Sequence, residues 1–304
     1  MTKQTNIWGI DLGGTKVEGV VLKSKEDPEV LSRLRVPTEA MNGYDHILSQ
    51  IKKVIDMMAE ERGYYPDAIG IGTPGALDPH TQLLKNSNST SLNGKPLKKD
   101  LEALIGIRIE IANDANCFAL AESKIGIVPD ICPDAQVVFG VIMGTGVGGG
   151  VIINGKVING NQGIAGEWGH NFLDESGGQC YCGKTGCVEK IIAGPALEKY
   201  YYQISGEEVK LKEIVARSKE GEENAKKTMD RLIHFFGLGI SVVINILDPE
   251  VIVLGGGVGN IDELYSAGVE SASRHTFNTR FDTKIVKPKL GDSAGVFGAA
   301  FLVT

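Results

Sequence analysis

Residues 9–22 read GIDLGGTKVEGVVL, and residues 140–153 read GVIMGTGVGGGVII. Each is an apolar run, a glycine turn and a second apolar run, the pattern of two strands joined in a hairpin. Laid over each other, they place Gly9 on Gly140, Gly13 on Gly144 and Gly19 on Gly150. The chain therefore reads as two similar halves, each opening strand, turn, strand, with the two turns facing each other across a cleft.

The rest of the chain alternates helix and strand. Apolar positions from Tyr44 to Met58 follow the spacing of one helix face, with Gly63 as its cap. Strands are expected at 68–72, 107–112, 137–143, 150–153, 156–158 and 251–254. Helices are expected at 97–105, from Asn113-Asp114 to Lys124, and at 194–204, 211–219, 222–247 and 294–303. This alternation defines an α/β class. The expected division is an N-terminal lobe of 1–115 with 294–304 and a C-terminal lobe of 116–293.

Composition narrows the function. The 304 residues include 40 glycines, where average usage of ~7% gives about 21. Such an excess marks tight turns and close backbone approaches. A net charge of −7 argues against a nucleic-acid surface. No signal-peptide core and no run of spanning length is evident, so a cytoplasmic location without a membrane partner is expected. Three of the five cysteines lie together at Cys180, Cys182 and Cys187, a spacing that suggests metal more than disulfides.

Several positions carry chemistry. In Asp11-Leu12-Gly13-Gly14-Thr15-Lys16, backbone amides freed of Cβ atoms can approach phosphate oxygens, and a strand-end carboxylate can hold magnesium; the same residues would also make a plain hairpin turn. Gly144-Thr145-Gly146 opens a second such turn. Residues 144–149 match G-x-G-x-x-G, but β-branched residues follow where a dinucleotide-binding loop requires a helix. Asp114, at a strand-to-helix junction, suits an N-cap and equally a carboxylate that accepts a hydroxyl proton. His170 with Cys180, Cys182 and Cys187 can complete a closed tetrahedral zinc site, the structural type; buried free thiols are the other reading. Glu167 and Glu189 bracket that cluster as acceptors suited to a polyol.

Seven motifs in order resemble the ROK family of sugar kinases: DLGGTK at 11–16, GTPG at 72–75, NDAN at 113–116, GTGVGGG at 144–150, GEWGH at 166–170, CYCGKTGC at 180–187 and LGGGV at 254–258. The resemblance implies a two-lobed actin-like, hexokinase-like fold. It implies ATP, Mg²⁺ and structural Zn²⁺, a hexose phosphorylated on its 6-hydroxyl, and a homodimer. It makes Asp114 the catalytic base. Asp11, Gly13, Gly14, Thr15, Lys16, Gly144, Thr145, Gly146, Gly256 and Gly257 become the phosphate and nucleotide positions. Asn88, Asn113, Asp114, Glu167, His170 and Glu189 become the sugar contacts, with one ring nitrogen of His170 on zinc and the other free for a sugar hydroxyl. The segment 85–102 is similar to the bacterial fructokinase/mannokinase branch, which implies fructose or mannose; N-acetylglucosamine and glucose are the alternatives. Ser91 stands where that branch carries Trp and would open the pocket wall. The family also includes sugar-responsive transcriptional regulators. These carry a DNA-binding domain ahead of the body, for which a first strand at about Ile7 and an acidic chain leave no expectation.

Overall fold

The computed structural model describes residues 6–304. Strands β1 (Ile7–Leu12), β2 (Lys16–Leu22), β3 (Val30–Pro37), β4 (Ala68–Thr73) and β5 (Arg108–Asn113) form one sheet of order β3-β2-β1-β4-β5. The β1–β2–β3 meander is antiparallel, whereas β4 and β5 run parallel to β1. One face is covered by the helix Tyr44–Arg62, which buries Ile47, Ile51, Val54, Ile55 and Met58 and ends at Gly63 with φ 77°. These side chains join Trp8, Ile10, Ile69 and Ile71 in a continuous core. Burying each large aliphatic side chain contributes about 1.5–3 kcal/mol.

The other face receives the C-terminal helix Ala294–Phe301. Here the glycine excess has a packing cause. A methyl group on Gly9 would lie 2.4 Å from the Ala300 nitrogen, and one on Gly70 would lie 1.8 Å from the Ala299 oxygen. Only glycine lets this helix rest on the strand backbones.

Strands β6 (Val137–Met143), β7 (Val147–Ile153), β8 (Lys156–Val157), β9 (Val251–Gly255) and β10 (Lys284–Val286) form a second sheet of order β8-β7-β6-β9-β10, with β9 parallel to both β6 and β10. The two sheets share one strand order. A glycine-turn hairpin lies on one side and parallel strands on the other, so the sequence repeat is a topological repeat. The helix Glu223–Leu247 buries Leu232, Phe236, Ile240 and Ile244, is capped at its start by the Glu222 carboxylate, and stops at Asp248 before Pro249. By length and composition this helix could cross a bilayer; its buried face serves instead as core.

By packing, one compact unit comprises the described residues through Pro129 together with Gly150–Ala165 and Lys289–Thr304. The other comprises Asp130–Gly149 and Gly166–Pro288. The compact units are drawn differently from the expected lobes, which met at 115/116 and 293/294. The helix Asp114–Lys124 belongs to the first unit because it lies on the C-terminal helix: a methyl group on Gly298 would be 1.7 Å from the Cys117 oxygen. Residues 289–293 join it because Glu122 on the same helix accepts the Lys289 and Leu290 amides. The segment from Gly150 joins it because a Cβ there would meet the Ala115 oxygen at 2.5 Å. The strand β3 and the helix Ala267–His275, absent from the sequence expectations, complete the two units.

Candidate active site

In the first unit, Asp11 sits at the end of β1 and Asp114 opens the helix that follows β5. Asn113 is that helix's N-cap. Its Oδ1 accepts the Ala115 N–H at 2.8 Å, as does Asp114 Oδ1. Solvent reaches the Asp114 side chain. Surrounding protein nevertheless desolvates the carboxylate enough to raise its pKa, against the lowering effect of the Ala115 amide and the Asn113 side chain. Burial raises Asp11 to about 6, reinforced by the charges of Asp114 and Glu18 and opposed by Lys16. The two carboxylates thus lie at the ends of β1 and β5, with β4 between them, and the charge of Asp114 is felt at Asp11.

The turn between β1 and β2 is closed by Gly13 N–H to the Lys16 carbonyl at 2.9 Å. Thr38, which sequence reasoning missed, braces it from outside: its N–H donates to Thr15 O at 3.0 Å and its hydroxyl to Gly13 O at 2.7 Å. Lys16 does not project freely. Its Nζ donates to buried Glu18 at 2.8 Å, and Arg33 and Arg35 reach the same carboxylate at 2.6 and 2.9 Å. Burial would raise Glu18, but the hydrogen bonds from Lys16, Arg35 and Arg33 outweigh it and hold the carboxyl below its ordinary range.

Asn88 is exposed beside a loop closed by reciprocal bonds between Ser87 and Asn93: Ser87 N–H to Asn93 Oδ1 at 2.8 Å, and Asn93 Nδ2 to Ser87 O at 2.9 Å. Ser91 is half-buried in the turn Thr90–Leu92.

In the second unit, the turn Gly144–Gly146 is tied three ways. Gly144 N–H donates to Gly146 O and Gly194 N–H to Gly144 O, both at 2.9 Å. The Val147 N–H donates to Glu189 Oε2 at 3.2 Å. Gly256, at φ 80°, follows β9 where a Cβ would meet the Met143 oxygen at 2.3 Å. Methyl groups on Gly14, Gly144 and Gly257 would meet no protein atom within 4 Å. Packing does not demand glycine at these three positions, which leaves their surface clear for a ligand, although the Gly144 amide is already spent on Gly146 O. The stretch 166–170 is moored to β7: Trp168 is buried with Nε1 on Gly148 O at 3.3 Å, and a methyl group on Gly169 would lie 1.9 Å from Val147 O. This places Glu167 and His170 at the two ends of the short turn Trp168–His170.

The ligand atoms of His170, Cys180, Cys182 and Cys187 lie within 4.8 Å of one another. Cys182 and Cys187 sulfurs are 3.6 Å apart, and Cys180 Sγ is 3.7 Å from His170 Nδ1. Bond lengths of about 2.3 Å for Zn–S and 2.0 Å for Zn–N give tetrahedral edges of roughly 3.8 and 3.5 Å. The four residues fit a closed zinc site. His170 Nε2 was expected to be free, but it shares a hydrogen bond with the Tyr181 hydroxyl at 3.0 Å. Tyr181, between two cysteines, is mostly exposed and was not anticipated as a neighbour of the site.

Paired sheets of this strand order, each entered through a glycine-turn hairpin, are the two-lobed actin-like, hexokinase-like fold. The chain belongs to the ROK family, whose model matches residues 7–304. An N-acetyl-D-glucosamine kinase of Vibrio atlanticus (strain LGP32) is 36% identical over 305 residues, covering 97% of this chain and 98% of the relative. Among solved structures, a ROK hexokinase from Thermus thermophilus is 31% identical with a TM-score of 0.87, covering 98% of this chain and 97% of its own. A ROK family glucokinase from Streptomyces griseus, solved with glucose and AMPPNP, is 27% identical with a TM-score of 0.76, covering 98% of each chain.

Proposed function

We propose that this protein is an ATP-dependent sugar kinase that transfers the γ-phosphoryl group of MgATP to the 6-hydroxyl of a hexose, and that the hexose is N-acetyl-D-glucosamine. The observation that carries the reaction is Asp114, a carboxylate at a strand end with a raised pKa, in a chain of the ROK family. A carboxylate within hydrogen-bond reach of a hydroxyl can take its proton as the new bond forms. As the sugar oxygen forms its bond to phosphorus, Asp114 takes the hydroxyl proton. The bond from the γ-phosphorus to the bridging oxygen breaks, and ADP leaves with that electron pair. The remaining task is positioning and charge stabilisation. The uncrowded backbone at Gly14, Gly144 and Gly257, with Gly13, Thr15, Lys16, Thr145, Gly146 and Gly256, cradles the phosphates. Asp11 faces the magnesium that arrives with the nucleotide. Asn88, Asn113, Glu167 and Glu189 hold the sugar, and His170 joins them where the Tyr181 hydroxyl gives up its Nε2. Zinc, when bound, would fix the 170–187 segment, which carries His170 and lies between Glu167 and Glu189.

The choice of N-acetyl-D-glucosamine rests on relatives of that name aligned along nearly the whole chain. Ser91, smaller than the Trp expected there, leaves room for an acetamide. A coupled ADP-release assay over N-acetylglucosamine, glucose, mannose and fructose tests both levels. A kcat/KM for N-acetylglucosamine at least tenfold above fructose and mannose supports the assignment. The reverse order supports the fructose/mannose reading suggested by residues 85–102. No turnover with any sugar sinks the kinase reading. Ser91→Trp should reduce N-acetylglucosamine use more than fructose use, by the ~1–3 kcal/mol of one apolar wall contact.

A further inference from the structure

Glu122 lies on the helix Asp114–Lys124 and is fully buried. Among the described residues no ion pair involves it. Its carboxylate instead accepts three backbone amides: Ile127 on Oε2 at 2.9 Å, Lys289 on Oε2 at 3.1 Å and Leu290 on Oε1 at 2.8 Å. The location of these donors gives the arrangement its meaning. The first unit is left at Pro129 and re-entered at Lys289, directly after Pro288. Ile127 precedes the exit by two residues, and Lys289 and Leu290 are the first residues after the return. The chain passes between the units at 129/130, 149/150, 165/166 and 288/289. One carboxylate therefore ties two of these passages to the helix that begins with Asp114.

The chemistry is specific to a carboxylate. Three N–H donors need an acceptor with no hydrogen of its own, and a glutamine would turn its NH₂ toward at least one of them. An unpaired buried charge is unfavourable unless fully hydrogen-bonded, so a site that needed only volume would be met by an apolar side chain. The surrounding chain is shaped for close approach: a methyl group on Gly126 would lie 2.1 Å from Glu122 Oε2. Pro129 and Pro288, the last positions before the two tied passages, fix their own φ, which leaves the carboxylate bonds to set where each segment is held.

We propose that Glu122 is a positioning residue that fixes the exit and return of the chain against the helix bearing Asp114, and through that alignment supports the transfer rate. The rate readout rests on the kinase reading above; the structural readout does not. Amide hydrogen exchange on full-length protein should show residues 125–129 and 289–292 exchanging about tenfold faster together in Glu122→Gln, as expected for losing bonds to a charged acceptor, with 144–160 unchanged. The same variant should lose about tenfold in kcat with the KM for ATP nearly constant, and Glu122→Asp should recover part of both. If Glu122→Gln does not fold, Gly126→Ala, which crowds the carboxylate and keeps its charge, should give the same paired response. Faster exchange in only one of the two segments, or paired loosening with unchanged kcat in a protein shown to be a kinase, overturns the proposal. Should the wild type phosphorylate no sugar, the kinase reading fails, while unchanged exchange in both segments would separately refute the anchor.

Discussion

The Glu189 carboxylate accepts the Val147 N–H at 3.2 Å, and a methyl group on Gly146 would lie 2.5 Å from the same oxygen. The residue that follows the cysteine cluster thus also holds the second glycine turn. Gln at 189 can still accept the Val147 amide, but it removes the anion proposed to accept from sugar hydroxyls; Ala removes both functions. Glu189→Gln should raise the sugar KM about tenfold and change the ATP KM less than about twofold, consistent with one lost charge-assisted hydrogen bond. Glu189→Ala should raise both. Steady-state kinetics with each substrate varied decides it; an ATP KM unaffected by Ala would show that the turn holds itself.

The metal is predicted from geometry alone. Protein purified without added metal should contain about one zinc per chain by elemental analysis, as expected for a closed Cys₃His site. Burial pushes the Cys187 thiol up to about 12, so without a cation it stays protonated. Cys182→Ser should lose the zinc, lower Tm and raise the sugar KM, because Phe172, Leu173 and Val188 bridge this loop back to residues 171–187 through the backbone. Full activity in a zinc-free preparation would remove the metal from the account.

The hairpins were legible because glycine between two β-branched runs has few other solutions, and the Asn113 cap was legible because Asn and Asp open helices for a local reason. The unit boundaries were not. Helix 114–124 belongs to the first unit through Gly298 and Glu122, contacts made with residues more than a hundred positions away. Strand β3 has charged residues at Arg33 and Arg35, which mask its period; they are there to reach Glu18 across the sheet. Thr38 belongs to no motif, and only the fold shows it bracing the first turn. Tyr181 drew no reading of its own, and its hydroxyl occupies the His170 nitrogen expected to be free.

Asp114 is both the first residue of its helix and the proposed base, and the two roles separate by substitution. Asn at 114 can still accept the Ala115 N–H, so the helix start should survive with a Tm change worth about 1 kcal/mol or less. Turnover should fall by roughly 10²–10⁴-fold, the usual worth of a positioned base. Sugar binding measured by calorimetry should persist. Near-normal kcat would reduce Asp114 to a helix cap.

Asp11 provides a pH signature. Its folded-state pKa of about 6 lies above the ordinary 3.8, chiefly through burial and then through Asp114 and Glu18. Between those two values the folded chain holds a proton that the unfolded chain has released. Asp11 therefore lowers stability progressively as pH rises from about 4 to 6, and the full cost is present above 6. Replacing it with Asn removes that cost. Asp11→Asn should raise Tm at pH 7.5 by roughly 2–4 °C, and the gain should vanish toward pH 4. Activity should move the opposite way. If the ionised carboxylate faces the magnesium of MgATP, wild-type kcat/KM for MgATP should climb through a midpoint near 6. Asp11→Asn should lose most turnover and that inflection together. A stabilised variant with the wild-type pH profile would place Asp11 outside the metal's reach, leaving its raised pKa as a consequence of burial alone.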